Sequence, residues 1–168
     1  MKRTIIKRGD VFSVQVSNTK KKYFQYIIND LVQLNSDVIR AFKEEYDVNS
    51  QPDISEITNG EIDFYAHCVV KFGIKLSYWK KYGNSSNVGN FEDVAFRTST
   101  DYGRKTGEEP ILVSENWRVW RINDDSFTYI GKLRGEYKDA EIGIVVTPKD
   151  ILQRLKYGKY DFFYPTYE

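Results

Sequence analysis

Apolar and polar residues alternate one by one through GDVFSVQVS. Phe12, Val14 and Val16 share one face, and Ser13, Gln15 and Ser17 share the other. A period of two is the mark of a half-buried strand. The polar NTKKK follows as a turn and YFQYIINDL returns as a second apolar run, so residues 10–30 predict a β-hairpin. Beyond it the period changes. Val38, Ala41 and Phe42, with Ile39 and Tyr46, form a helical stripe, and Arg40, Lys43, Glu44 and Glu45 fall largely outside it. Asn35 or Ser36 supplies a cap and Asp37 a first-turn acid, so a short helix is predicted at roughly 36–46. DVNSQPDISEITNG, at 47–60, has loop composition.

The longest alternation is EIDFYAHCVVKFGIKL. Ile62, Phe64, Ala66, Cys68, Val70, Phe72 and Ile74 lie on one face; Asp63, Tyr65, His67, Val69 and Lys71 lie on the other. This predicts one long strand that bends at Gly73. GNSSNVGN at 83–90 is an expected loop, VAFR a short strand, and STDYGRKTGEEP at 99–110 a long polar loop. NWRVWRINDDSFTYIGKL predicts a second hairpin turning at NDDS, and EIGIVV a buried strand. TPKDILQRLKYGKY predicts a helix. Thr147 is its cap, Pro148 its first position, Asp150 the capping-box partner, and Gly158 its stop.

Together these elements predict one α+β domain spanning 1–168: a strongly bent antiparallel sheet or partial SH3-like barrel with two short helices. The predicted core comprises Phe12, Val14, Phe64, Cys68, Val70, Phe72, Trp120, Ile144, Leu152 and Leu155.

Composition adds few constraints. An aromatic content of 15% favours strands and recognition surfaces. The single cysteine excludes an intrachain disulfide and fits a reducing compartment, so a cytoplasmic location is expected. The basic start MKRTIIKRGD lacks the apolar run of a signal peptide, and no stretch has the length and apolarity of a membrane span. A net charge of +1 gives no global attraction to nucleic acid or acidic membrane, so neither is an expected partner.

The charges are nevertheless segregated. Lys2, Arg3, Lys7, Arg8, Lys20, Lys21 and Lys22 face only Asp10 within residues 1–22, a net +6. Lys43 faces Glu44, Glu45, Asp47, Asp53, Glu56, Glu61 and Asp63 within 41–65, a net −6. Such runs are ordinarily solvated faces. The functional reading makes Glu44, Glu45 and Asp47 a partner-binding face.

Catalytic spacing is hard to find. His67 and Cys68 are the only residues of their kinds and are adjacent, so in a strand they point to opposite faces and form no dyad. Neither zinc-ligand spacing nor a calcium-loop pattern occurs, and GRKTG lacks the phosphate-loop spacing. No cofactor, metal or enzymatic activity is therefore expected. SYWKKYG and NWRVWR interleave aromatic and cationic residues as base-stacking surfaces do. The simpler reading sends the rings to the core and the cations outward. Trp117, Arg118 and Arg121 are the second candidate binding group.

The opening IKRGDVFSVQVSNTKKKYFQYIINDL resembles the immunity protein 26 family of bacterial polymorphic toxin systems. In that family a Gly-Asp precedes an apolar strand, a short turn and a returning strand rich in Tyr and Phe. Gly9, Asp10, Tyr23, Phe24 and Tyr26 occupy those positions here. FYAHCVVKFG, WRVWRIN and the C-terminal helix are compatible with it. The resemblance implies a non-catalytic cytosolic protein that binds and neutralises a cognate toxin, and it carries no residue-level site. Gly-Asp before an apolar strand also opens several SH3-like barrels, so a module binding nucleic acid or peptide is the alternative.

Overall fold

The computed structural model describes residues 4–101 and 106–168. Residues 1–3 of the basic start lie outside it, as do 102–105 of the expected polar loop and of GRKTG. The chain folds as α+β: the described residues form two mixed sheets and three α-helices, and these sheets do not close into a barrel.

The first hairpin forms where the alternation placed it. β1 (Asp10–Gln15) pairs antiparallel with β2 (Lys20–Asp30). The predicted helix at 36–46 is instead a strand, β3 (Ser36–Phe42), between β2 and β5 (Ile62–Cys68). Val38 to Phe42 are all buried, because both faces of this strand are covered. Ile39 and Ala41 enter one core and Val38 another. A strand buried on both faces loses its alternation and reads as a continuous apolar run. Asn35 is no cap: it and Leu34 have φ of 41° and 59° and turn the chain between β2 and β3. β4 (Tyr46–Asp47) then pairs with the start of β2. A short helix, α1 (Ile54–Thr58), lies within the expected loop.

The long alternation also breaks. β5 ends at Cys68, and α2 (Val70–Lys75) replaces the predicted continuation. Val70 remains buried, but Phe72 is 47% exposed and leaves the predicted core. Positions 70, 73 and 74 share a helical face as readily as 70, 72 and 74 share a strand face. Gly73 does not bend a strand. It is where α2 meets Trp79, whose Cζ2 would lie 1.9 Å from an added Cβ. β6 (Lys80–Asn84) then pairs with β1 and forms one edge of the larger sheet. That sheet has the order β5-β3-β2-β1-β6, with one further short strand beyond β5.

The smaller sheet contains β7 (Ala95–Ser99), β8 (Trp117–Arg121) and β9 (Thr128–Gly131), with the last two forming the second hairpin. EIGIVV is not one strand. β10 (Glu141–Ile142) joins β7 in parallel, and β11 (Val145–Val146) joins β5 in the other sheet, also in parallel. Gly143 sits at the crossing, where an added Cβ would lie 2.0 Å from Trp120. α3 (Pro148–Tyr157) starts at Thr147, whose Oγ1 accepts from the Asp150 amide, and stops at left-handed Gly158.

Ile151 and Leu155 of α3 cover a core containing Phe12, Val14, Phe24 and Phe64. Ile27 and Val38 of the larger sheet pack with Phe96 and Trp120 of the smaller one. Ile144 and Leu152 are only partly buried, packed against the first of these cores. Among the described residues, no helix is long and apolar enough to cross a membrane.

Candidate functional site

A half-open cleft of about 730 Å³ lies beside the β1–β6 edge of the larger sheet. β1 contributes Ser13 and Gln15, β2 contributes Lys21, residues 48–51 form one wall, and the segment from Ile74 to Tyr82 forms the other. Its aromatic side is fixed from behind. Trp79 is 3% exposed, meets Phe24 edge-on with centroids 5.0 Å apart, and donates its Nε1–H to the Val70 carbonyl at 3.0 Å. The Tyr82 hydroxyl donates to the Pro52 carbonyl at 2.7 Å, joining β6 to the opposite wall.

Lys21 reaches across the floor. Its Nζ donates to the Ser50 carbonyl and lies over the rings of Tyr23 and Tyr82, at 5.7 and 5.8 Å from their centroids. Burial lowers the Lys21 pKa from its ordinary value, and the neighbouring Lys80 lowers it further. The opposite wall is a turn held by Ser50, whose amide and hydroxyl both donate to the Asp47 carbonyl. The cleft thus offers aromatic faces, side-chain hydrogen-bonding groups and two lysines. Its lining has no carboxylate, histidine or cysteine among the described residues.

Of the first candidate group, Asp47 borders this cleft. Asp47 directly precedes the wall at Val48 and pairs with Lys20 at 2.9 Å. Glu44 and Glu45 are exposed on the connection from β3 to β4. Side-chain hydrogen bonding and charge from Asp47 raise the Lys20 pKa, with a smaller contribution from Glu45. The oppositely charged runs of the sequence therefore meet here. Asp47 stands on β4, and Glu44 and Glu45 on the connection before it, rather than on a helix.

The second group is not brought to the same place, because it belongs to the smaller sheet. Trp117 is fully buried and donates to the Ser114 carbonyl, so its ring presents no face to a partner. Arg118 is exposed and Arg121 half-buried. Trp79, Trp117 and Trp120 are all buried, as the simpler reading of the aromatic and cationic segments requires. The wall at 48–51 escaped notice in the sequence because it carries no charge and has ordinary loop composition. The signal for the other wall was SYWKKYG, with Tyr78, Lys80 and Tyr82 lining the cleft.

His67 and Cys68 do point into different cores. Burial raises the Cys68 thiol pKa far above its ordinary value. His67 is fully buried, with Nε2 3.0 Å from Asp30 Oδ2 and its ring 4.3 Å from Phe96. Burial lowers the His67 pKa, and Asp30 opposes that shift without reversing it. Asp30 Oδ1 also accepts the amides of Gln33 and Asn123, so the pair ties β5 to the turns after β2 and β8. Among the described residues, no group of three or more His, Cys, Asp or Glu is arranged to hold a metal ion. No family model, curated protein or solved structure matches the chain.

Proposed function

We propose that this chain is a non-catalytic binding protein of the immunity type, which captures a toxin protein of a bacterial polymorphic system. Its contact surface is the cleft between β6 and the 48–51 wall, together with the acidic rim at Glu44, Glu45 and Asp47. The observation that supports this reading is the cleft itself. It has aromatic and amide-bearing walls and an edge strand alongside, which suits an extended segment of a partner. Lys80 and Lys81 on that edge discourage indiscriminate strand pairing. The acidic rim steers a basic partner and sets specificity. The resemblance of residues 6–31 to immunity protein 26 is what makes the partner a toxin.

A second reading is favoured by Tyr78, Lys80 and Tyr82 in the cleft: a module that binds single-stranded nucleic acid or peptide. The separating experiment is calorimetric titration of the chain with the toxin encoded beside its gene and with single-stranded oligonucleotides, over a range of salt. The immunity reading expects saturable toxin binding and none of the oligonucleotides. Oligonucleotide binding with a steep salt slope, and no toxin binding, would replace it with the second.

A further inference from the structure

We propose that a second hollow, where Arg97 and Arg154 meet the C-terminal segment, binds an oxyanion: the phosphate or carboxylate group of a ligand. The hollow measures about 340 Å³, and Lys159, Tyr160 and Tyr164 also border it. It lies on β7, β10 and α3, away from the lining of the first cleft.

Both arginines lie over aromatic rings. Arg97 lies over Trp117 and Tyr167, at 5.5 and 5.2 Å from their centroids. Arg154 lies over Phe64 and Tyr160, at 4.6 and 5.1 Å. One Arg97 terminal nitrogen donates to the Ala140 carbonyl. The Nε–H of each arginine is buried without an acceptor, and among the described residues neither guanidinium is in an ion pair. Buried donors without acceptors are costly, and a guanidinium is shaped to give two parallel hydrogen bonds to one carboxylate or phosphate. Burial also lowers the Arg97 pKa, the mark of a cation whose water has been partly removed without full compensation.

The neighbouring carboxyl does not supply the missing acceptor. Glu141 uses Oε1 to accept the Tyr65 amide at 3.1 Å. The outer wall is pinned by the Tyr164 hydroxyl, which donates to the Arg97 carbonyl at 3.1 Å. Rigid, ring-backed guanidiniums lose little freedom when an anion arrives, which distinguishes this hollow from a patch of surface lysines.

The test follows the arginine Nε–H resonances of the ¹⁵N-labelled chain during titration with sodium phosphate and with sodium acetate. Sodium chloride holds the ionic strength constant. Saturable shifts of the Arg97 and Arg154 signals are expected, with phosphate or acetate affinity falling about tenfold in a folded Arg154→Lys variant, which keeps the charge and loses the fork. Tighter phosphate binding assigns the hollow to a phosphorylated ligand; tighter or equal acetate binding assigns it to a carboxylate such as a chain terminus. Shifts that never saturate with either anion in the wild-type chain would overturn the site, as would an Arg154→Lys variant that binds both unchanged.

Discussion

Gly143 shows how much one side chain can decide. The chain leaves the smaller sheet and enters the larger one at this residue, against the ring of Trp120. Gly143→Ala places a methyl where the indole already lies, and should cost about 2–3 kcal/mol by overpacking, read from the urea midpoint. Asp30 is a second such residue. Asp30→Ala removes the acceptor of two amides and of His67, and should cost on the order of 3 kcal/mol, read the same way. Glu141 gives the pH signature. Burial pushes its carboxyl up from 4.5 to about 7, against the pull of the Tyr65 amide, Arg154 and Arg97, with Asp63 adding to the rise; Tyr65 and Tyr160 also face it. The folded protein then holds a proton that the unfolded chain releases. The contribution of this group is complete below pH 4.5 and is lost as pH rises through about 7. The loss amounts to at most about 3 kcal/mol. Glu141→Gln keeps an acceptor for Tyr65 and should remove that slope, so the variant should exceed the wild type in stability at pH 8 and not at pH 4.5.

The strands and helices differ in how plainly the sequence announced them. β1, β2 and α3 were legible because each carries its own signal: a period of two with one face covered, or a cap, a first-position proline and a glycine stop. β3 was not, because burial of Val38 to Phe42 on both faces erases the alternation, and what remains fits a helix equally well. The end of β5 was hidden for a related reason. The apolar positions after Cys68 satisfy both periods, and the helix brings Gly73 against Trp79, a contact the sequence does not show. The candidate cleft was half legible, through the aromatic and cationic residues of β6. Its other wall is formed by neutral loop residues that fold back from a distance. Two measurements check these assignments. Phe64→Ala should cost roughly 3–5 kcal/mol and Phe72→Ala, half exposed on α2, under about 1. Amides of residues 38–41, central in the larger sheet, should be among the slowest to exchange with deuterium, whereas a surface helix at 36–46 would exchange far sooner.

At the scale of the whole molecule, two sheets and α3 build a body in which β6 is an edge strand beside a cleft. On the proposed reading, binding there would depend on shape and hydrogen bonding, with the acidic residues Glu44, Glu45 and Asp47 governing the rate of encounter. Reversing Glu44 and Glu45 to Lys should leave folding within about 0.5 kcal/mol of the wild type, because both side chains are exposed. It should slow association with the toxin most at low salt, where screening is weakest. The most direct test is the affinity of the same toxin for a Lys80→Glu, Gln51→Arg variant, which alters one exposed residue on each wall of the cleft. Its circular dichroism and unfolding midpoint should match those of the wild type. Its affinity should fall at least about tenfold, equivalent to about 1.4 kcal/mol. A folded variant that binds the toxin as tightly as the wild type would contradict the account.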